Sequence, residues 1–84
     1  MKVEQATYKL GVQRLFYVAT NSPPKVNSVT AIVYTAQRGR KEVEFRYLEF
    51  EIYDLWFTFY DKGKYIFIIF EDGLRVVTLI VTTV

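Results

Sequence analysis

The chain has 84 residues, enough for one domain with its own core and too few for a second. Hydrophobic residues make up 51% and aromatics 18%, which excludes a disordered segment, and 11 basic against 9 acidic side chains leave a net charge of +2, too even to call for a polyanionic partner. Cys and His are both absent, which removes disulfides, thiolate metal sites and the commonest general base and metal ligand together.

The first ten residues, MKVEQATYKL, hold no apolar run of signal-peptide length, and no stretch reaches the length of a membrane span. The chain is therefore expected to be soluble and untargeted, with a natural Met1, in a reducing cytoplasm or a particle assembled in one. Residues 4–9 alternate weakly and read as a first strand, closed by the turn signal Leu10-Gly11. Residues 13–20, QRLFYVAT, are aromatic and β-branched and predict a second strand, which Asn21-Ser22-Pro23-Pro24 must end in a loop because two prolines remove two amide donors. In residues 26–35, Val29, Ala31 and Val33 alternate with Thr30, Ile32 and Tyr34, a third strand.

Residues 36–41, AQRGRK, predict a projecting polar loop centred on Gly39, with Arg38, Arg40 and Lys41 as its charges. Val43, Phe45 and Tyr47 then oppose Glu44 and Arg46, after which the apolar phase passes to Leu48, Phe50 and Ile52, so a bulge or tight connection is expected near Tyr47 or Leu48. A second change sets Leu55, Phe57 and Phe59 against Asp54, Trp56 and Thr58. These patterns place strands at about 42–48 and 53–60. Residues 61–84 form two apolar runs hinged on Glu71-Asp72-Gly73 and read as a closing hairpin. No segment carries helical periodicity, and the turn spacing predicts an all-β antiparallel sandwich or small barrel of about seven strands.

Asp61-Lys62-Gly63-Lys64-Tyr65-Ile66-Phe67 has the spacing of a tyrosine corner and resembles the start of strand F in immunoglobulin-like domains. With VTAIVY, LWFTFY and the run after EDG, the pattern resembles the immunoglobulin-like domains of bacteriophage virions and bacterial surface proteins. The resemblance implies a single immunoglobulin-like sandwich without a disulfide, since Phe67 stands where antibody domains place a Cys, and it implies a structural corner at Asp61, Gly63 and Tyr65. The lone Trp at position 56, away from VTAIVY, also departs from the antibody type.

The last hairpin is apolar on both phases. If Tyr65, Phe67 and Ile69 face inward, Ile66, Ile68 and Phe70 face outward, and Val76, Ile80, Ile32 and Tyr34 are expected beside them as a protein interface. The loop charges Arg38, Arg40 and Lys41 are a candidate contact with an acidic surface, but no aromatic is interleaved with them for base stacking, which disfavours nucleic acid. Glu42, Glu44, Glu49, Glu51 and Asp54 read as the exposed phase of strands rather than as a catalytic or metal set, and Asp61 and Asp72 as turn formers. Trp56 is assigned to the core. The sequence thus points to a non-enzymatic module without a cofactor, a small virion component assembled in a host cytoplasm and associating with itself or other subunits. Its rivals are an inhibitor working through the basic loop, and a carbohydrate-binding domain using Tyr34, Tyr53 or Trp56.

Overall fold

In a computed structural model, which describes residues 2–20 and 26–84, the chain forms eight strands and no helix among the described residues. They are β1 (Lys2–Tyr8), β2 (Gly11–Val18), β3 (Val29–Thr35), β4 (Gly39–Glu44), β5 (Arg46–Glu49), β6 (Ile52–Phe59), β7 (Gly63–Glu71) and β8 (Leu74–Thr83). A five-stranded sheet in the order β1-β8-β7-β3-β4 faces a three-stranded sheet in the order β2-β6-β5. This is an all-β sandwich with no cysteine to bridge its layers. The Pro-Pro loop expected at residues 21–24 lies outside the described residues.

Two departures from the expected seven antiparallel strands have physical causes. β1 runs parallel to β8, from Lys2 opposite Val77 to Tyr8 opposite Thr83, so it closes the larger sheet without a hairpin partner. The stretch expected as one strand at 42–48 is divided between the sheets at Phe45. The Phe45 amide donates to the Val29 carbonyl at 2.8 Å, on the larger sheet, while the next residue, Arg46, already pairs with Asp54 on the smaller one. The Phe45 ring is buried between the layers, 6.0 Å from the Tyr17 ring, and its burial fixes the crossing point. The register of β5 then slips between Tyr47 and Glu49, where the change of parity places a bulge. β4 begins at Gly39, so Arg40 and Lys41 belong to a strand and not to a projecting loop.

The core is built from the inward phases of facing strands. Phe57 and Phe59 of β6 meet Tyr65 and Phe67 of β7 with ring centroids 4.8 to 6.1 Å apart, mostly edge to face, the arrangement that aromatic quadrupoles favour. Val29, Val33 and Val81 fill the space beside them. Each such side chain removed from water contributes about 1.5–3 kcal/mol before ordering costs.

Two-residue turns close two hairpins. Asp72-Gly73, with φ of 49° and 82°, joins β7 to β8 in the left-handed backbone that matches strand twist, and Gly73 takes it without steric cost. Phe50-Glu51, with φ of 46° and 66°, joins β5 to β6 in the same region, where L side chains cost about 1–2 kcal/mol each.

The β7–β8 turn also holds the rest of the chain. Glu71 is fully buried and accepts from the Tyr17 hydroxyl at 2.5 Å, the Thr20 amide at 3.0 Å and the Thr20 hydroxyl at 3.3 Å. Asp72, expected to bond its own turn, instead accepts from the Asn27 and Ser28 amides at 3.0 and 2.9 Å. The two carboxylates therefore anchor the chain on both sides of residues 21–25.

Candidate functional site

Side chains alternate across a strand, so the registers fix what each outer face carries. On the five-stranded sheet, Tyr34, Ile66 and Ile80 stand in one row and Ile32, Ile68 and Thr78 in the next. A third row runs Glu44, Thr30, Phe70, Arg75, from the β4 edge to β8. Glu42 and Arg40 border the first two rows on β4, and are themselves paired at 3.4 Å. The outer face is thus an apolar centre of isoleucines and aromatics with opposite charges at the two ends of one row. Six of the seven residues expected to form an interface come together here.

Val76 is the seventh, and it lies elsewhere. β8 slips against β7 between Ile69 and Phe70, so Ile69 pairs with Val77 while Phe70 pairs with Arg75. Val76 is the extra residue of that bulge, and it packs against the core rather than beside Ile66 and Ile80.

Gly63 adopts φ of 124°, and the Tyr65 hydroxyl accepts a hydrogen bond from the Asp61 amide at 3.1 Å. The Thr83 hydroxyl donates to the Asp61 carbonyl at 2.6 Å, which ties the end of β8 to the same turn. The Asp61 carboxylate accepts from Arg38 at 2.9 Å, and the Arg38 guanidinium lies 4.5 Å from the centre of the Tyr60 ring. The loop charges are therefore taken up within the chain: Arg38 is paired with Asp61 at the end of β6, Arg40 with Glu42 along β4, and Lys41 lies 5.7 Å from the Phe57 ring.

The outer face of the three-stranded sheet holds what the sequence reading missed. Trp56, assigned to the core, is 58% exposed, and Asp54, read as exposed, is 1% exposed. Parity explains the first: Phe57 and Phe59 face inward, so Trp56 shares the outward phase with Asp54 and Thr58. Pairing explains the second. Arg14 on β2 and Arg46 on β5 flank Asp54 and cover it, donating at 2.8 and 3.1 Å to one oxygen, with a further Arg46 bond at 3.2 Å to the other. The hydrogen bonds from Arg46, helped by Arg14 and opposed by burial, hold the Asp54 carboxyl below the usual carboxylate range. The Arg14 guanidinium also lies 4.6 Å from the Phe16 ring and 5.4 Å from that of Trp56. Phe16 is 60% exposed and Val12 and Val18 are as open, so this face is a second aromatic surface. Its signal was the shared phase of Val12, Arg14, Phe16 and Val18.

Tyr53, a candidate sugar platform, is buried and donates its hydroxyl to the Val26 carbonyl at 3.0 Å. Among the described residues no group of three Asp, Glu, Cys or His side chains converges as a metal-ligand set. Comparison with family models, with curated proteins and with solved structures finds no match to this chain.

Proposed function

We propose that the chain is a non-enzymatic assembly module whose first partner is a second copy of itself, joined through the outer face of the five-stranded sheet. The observation that carries this is the apolar centre of that face, Ile32, Tyr34, Ile66, Ile68, Phe70 and Ile80, on a sheet whose other side already packs the core. An antiparallel face meant for water carries polar residues at these positions.

A second copy fits the charges. A two-fold axis along the strands, between β3 and β7, lays each third row over its own reverse and sets Glu44 of one copy against Arg75 of the other. Strands spaced about 4.8 Å apart, with residues every 3.4 Å, make the face roughly 500 Å² per copy, so two of them bury about 1,000 Å², the lower bound for specific association. Two sheets meeting this way pack about 10 Å apart and nearly aligned.

The immunoglobulin-like reading is supported by strand order. In that reading the order β2-β6-β5 would correspond to strands B, E and D, and β3, β7 and β8 to C, F and G. The resemblance of the DKGKYIF corner to bacteriophage domains supports a virion setting, in which a decorating or head-and-tail accessory subunit associates through such a face. The carbohydrate alternative is weaker, because its three aromatics are separated: Tyr53 is buried, Tyr34 lies on one outer face and Trp56 on the other, with Arg14 near its ring. The inhibitor alternative loses its basic loop to the ion pairs of Arg38 and Arg40.

Sedimentation over a concentration series tests the proposal. The unmodified chain should move from monomer toward dimer mass, and Ile68→Asp should stay monomeric with an unchanged circular dichroism spectrum and melt. A chain that remains monomeric throughout, or an Ile68→Asp variant that unfolds, would overturn it.

A further inference from the structure

The two sheets present four edge strands, and the sequence protects three of them. β4 carries four charges in six residues, β5 is only four residues long with a slipped register, and β1 turns Lys2 and Glu4 toward the space between the sheets. Charge, shortness, irregularity and inward-pointing ionic groups are the devices that keep edges from pairing. β2 has none of them beyond one arginine: GVQRLFYV is eight residues of regular strand without Pro or bulge.

The open groups on this edge can be assigned. The Ala19 amide donates to the Glu51 carbonyl at 2.9 Å, continuing the β2–β6 register, while the Thr20 amide turns the other way, to Glu71. Backbone groups alternate sides along a strand. The amides and carbonyls of Val12, Arg14, Phe16 and Val18 therefore face away from β6, and β6 is the one strand paired with β2 among the described residues. β1 belongs to the other sheet and roofs the space beside this edge. A cleft of about 590 Å³, lined by Lys2, Glu4, Tyr17 and Val76 among others, opens there. A smaller cavity of about 180 Å³ on the same seam reaches Leu15, Phe67 and Ile69.

We infer that this slot receives an extended segment of a partner polypeptide, which adds to β2 as a fourth strand of the small sheet and lowers apolar side chains into the cleft. The class of occupant follows from the chemistry of the wall. Four donors and four acceptors recurring at every second residue, about 6.8 Å apart, match a polypeptide backbone. A folded second copy cannot bring its own β2 edge there, because its β1 would meet this one. Lys2 and Glu4, paired at 2.9 Å at the mouth, call for a polar residue at that end of the segment, and the space above Leu15 for an aliphatic one. The contact is separate from the outer face of the larger sheet and stands whether or not that face self-associates.

A tethered strand tests the slot. The Val84 amide donates to the Tyr8 carbonyl at 3.0 Å and the Leu10 amide to the Val84 carbonyl at 3.3 Å, so Val84 lies beside the start of β2. A Gly-Ser linker of about eight residues after Val84, then Thr-Val-Thr-Val-Thr-Val-Thr, holds a candidate strand there at about millimolar effective concentration. Amide hydrogen exchange at Val12, Arg14, Phe16 and Val18 should slow by about tenfold or more, and exchange at Gln13, Leu15 and Tyr17 should not change. The same extension with each Val replaced by Pro should have no effect. If the four amides exchange as in the unextended chain, or if the Val and Pro extensions act alike, the slot is not a strand site. Measuring the unmodified larger-sheet face at concentrations where sedimentation gives monomer mass keeps this result separate from association through that face.

Discussion

Replacing Glu71 by Gln measures how far the last hairpin holds the chain in place. The Glu71 carboxylate is fully buried and accepts three hydrogen bonds from Tyr17 and Thr20, on the segment leaving β2. Bonds to a carboxylate are worth about 1.5–3 kcal/mol each, against about 0.5–1.5 for neutral pairs, and the amide makes all three of these bonds, which converge on one oxygen, neutral ones. Glu71→Gln should therefore cost about 2–3 kcal/mol, and Tyr17→Phe about 1–2, because the latter leaves the Thr20 bonds in place. In a domain of this size 2 kcal/mol lowers the melting temperature by roughly 8–16 °C. The double variant should lose less than the sum by about 1 kcal/mol, since the two changes remove one shared bond. Burial first, and then the bond to Glu71, push the Tyr17 phenol above its ordinary range. A raised value means that this contribution is complete below the unfolded pKa of about 10 and is lost as pH rises toward the folded value. Tyr17 should then ionise above the ordinary tyrosine range in an ultraviolet titration, and earlier in Glu71→Gln. Single variants within about 0.5 kcal/mol of the parent, or strict additivity, would refute the clamp.

Three further outcomes follow from particular residues. The Asp54 carboxyl lies below its usual range, so its contribution is present above the unfolded value near 4 and is lost as pH falls through the folded one. Asp54→Asn should accordingly flatten the loss of stability below pH 4, and an unchanged acid slope would contradict the Arg14–Asp54–Arg46 arrangement. Glu51→Gly relieves a left-handed backbone at φ of 66° and should raise stability by about 1 kcal/mol in denaturant unfolding; a fall would mean that the Glu51 side chain matters more than its strain. Trp56, being 58% exposed, should fluoresce as an indole in water and be quenched readily by acrylamide, whereas protected, blue-shifted emission would place it in the core.

The alternation that identifies a strand also identifies its inward phase, and that much was legible. Val29, Ala31 and Val33, then Phe57 and Phe59, then Tyr65, Phe67 and Ile69 all face inward as their spacing requires. Alternation does not say which sheet a strand joins. Phe45 continues the phase of Val43, so the change of layer there leaves no mark in the pattern, and the parallel pairing of β1 with β8 joins residues about 75 apart with no local signal. The candidate face divided along the same line. Ile66, Ile68 and Ile80 could be placed by counting in twos, but Val76 could not, because a one-residue bulge reverses the count beyond it. Asp54 was hidden for a different reason: its burial depends on Arg14, forty residues earlier and on another strand. For Trp56 the outward phase, shared with Asp54 and Thr58, is in the sequence, and position on the strand outweighs the burial gain of a large side chain.

Dilution of the isotope-labelled chain, followed residue by residue through its backbone amide resonances, tests the assembly proposal most directly. Concentration-dependent shifts should gather on Ile32, Tyr34, Ile66, Ile68, Phe70 and Ile80, with Glu44 and Arg75 moving together at the rim. Shifts gathered on Val12, Phe16 and Trp56, or resonances that do not move between micromolar and millimolar concentration, would contradict it.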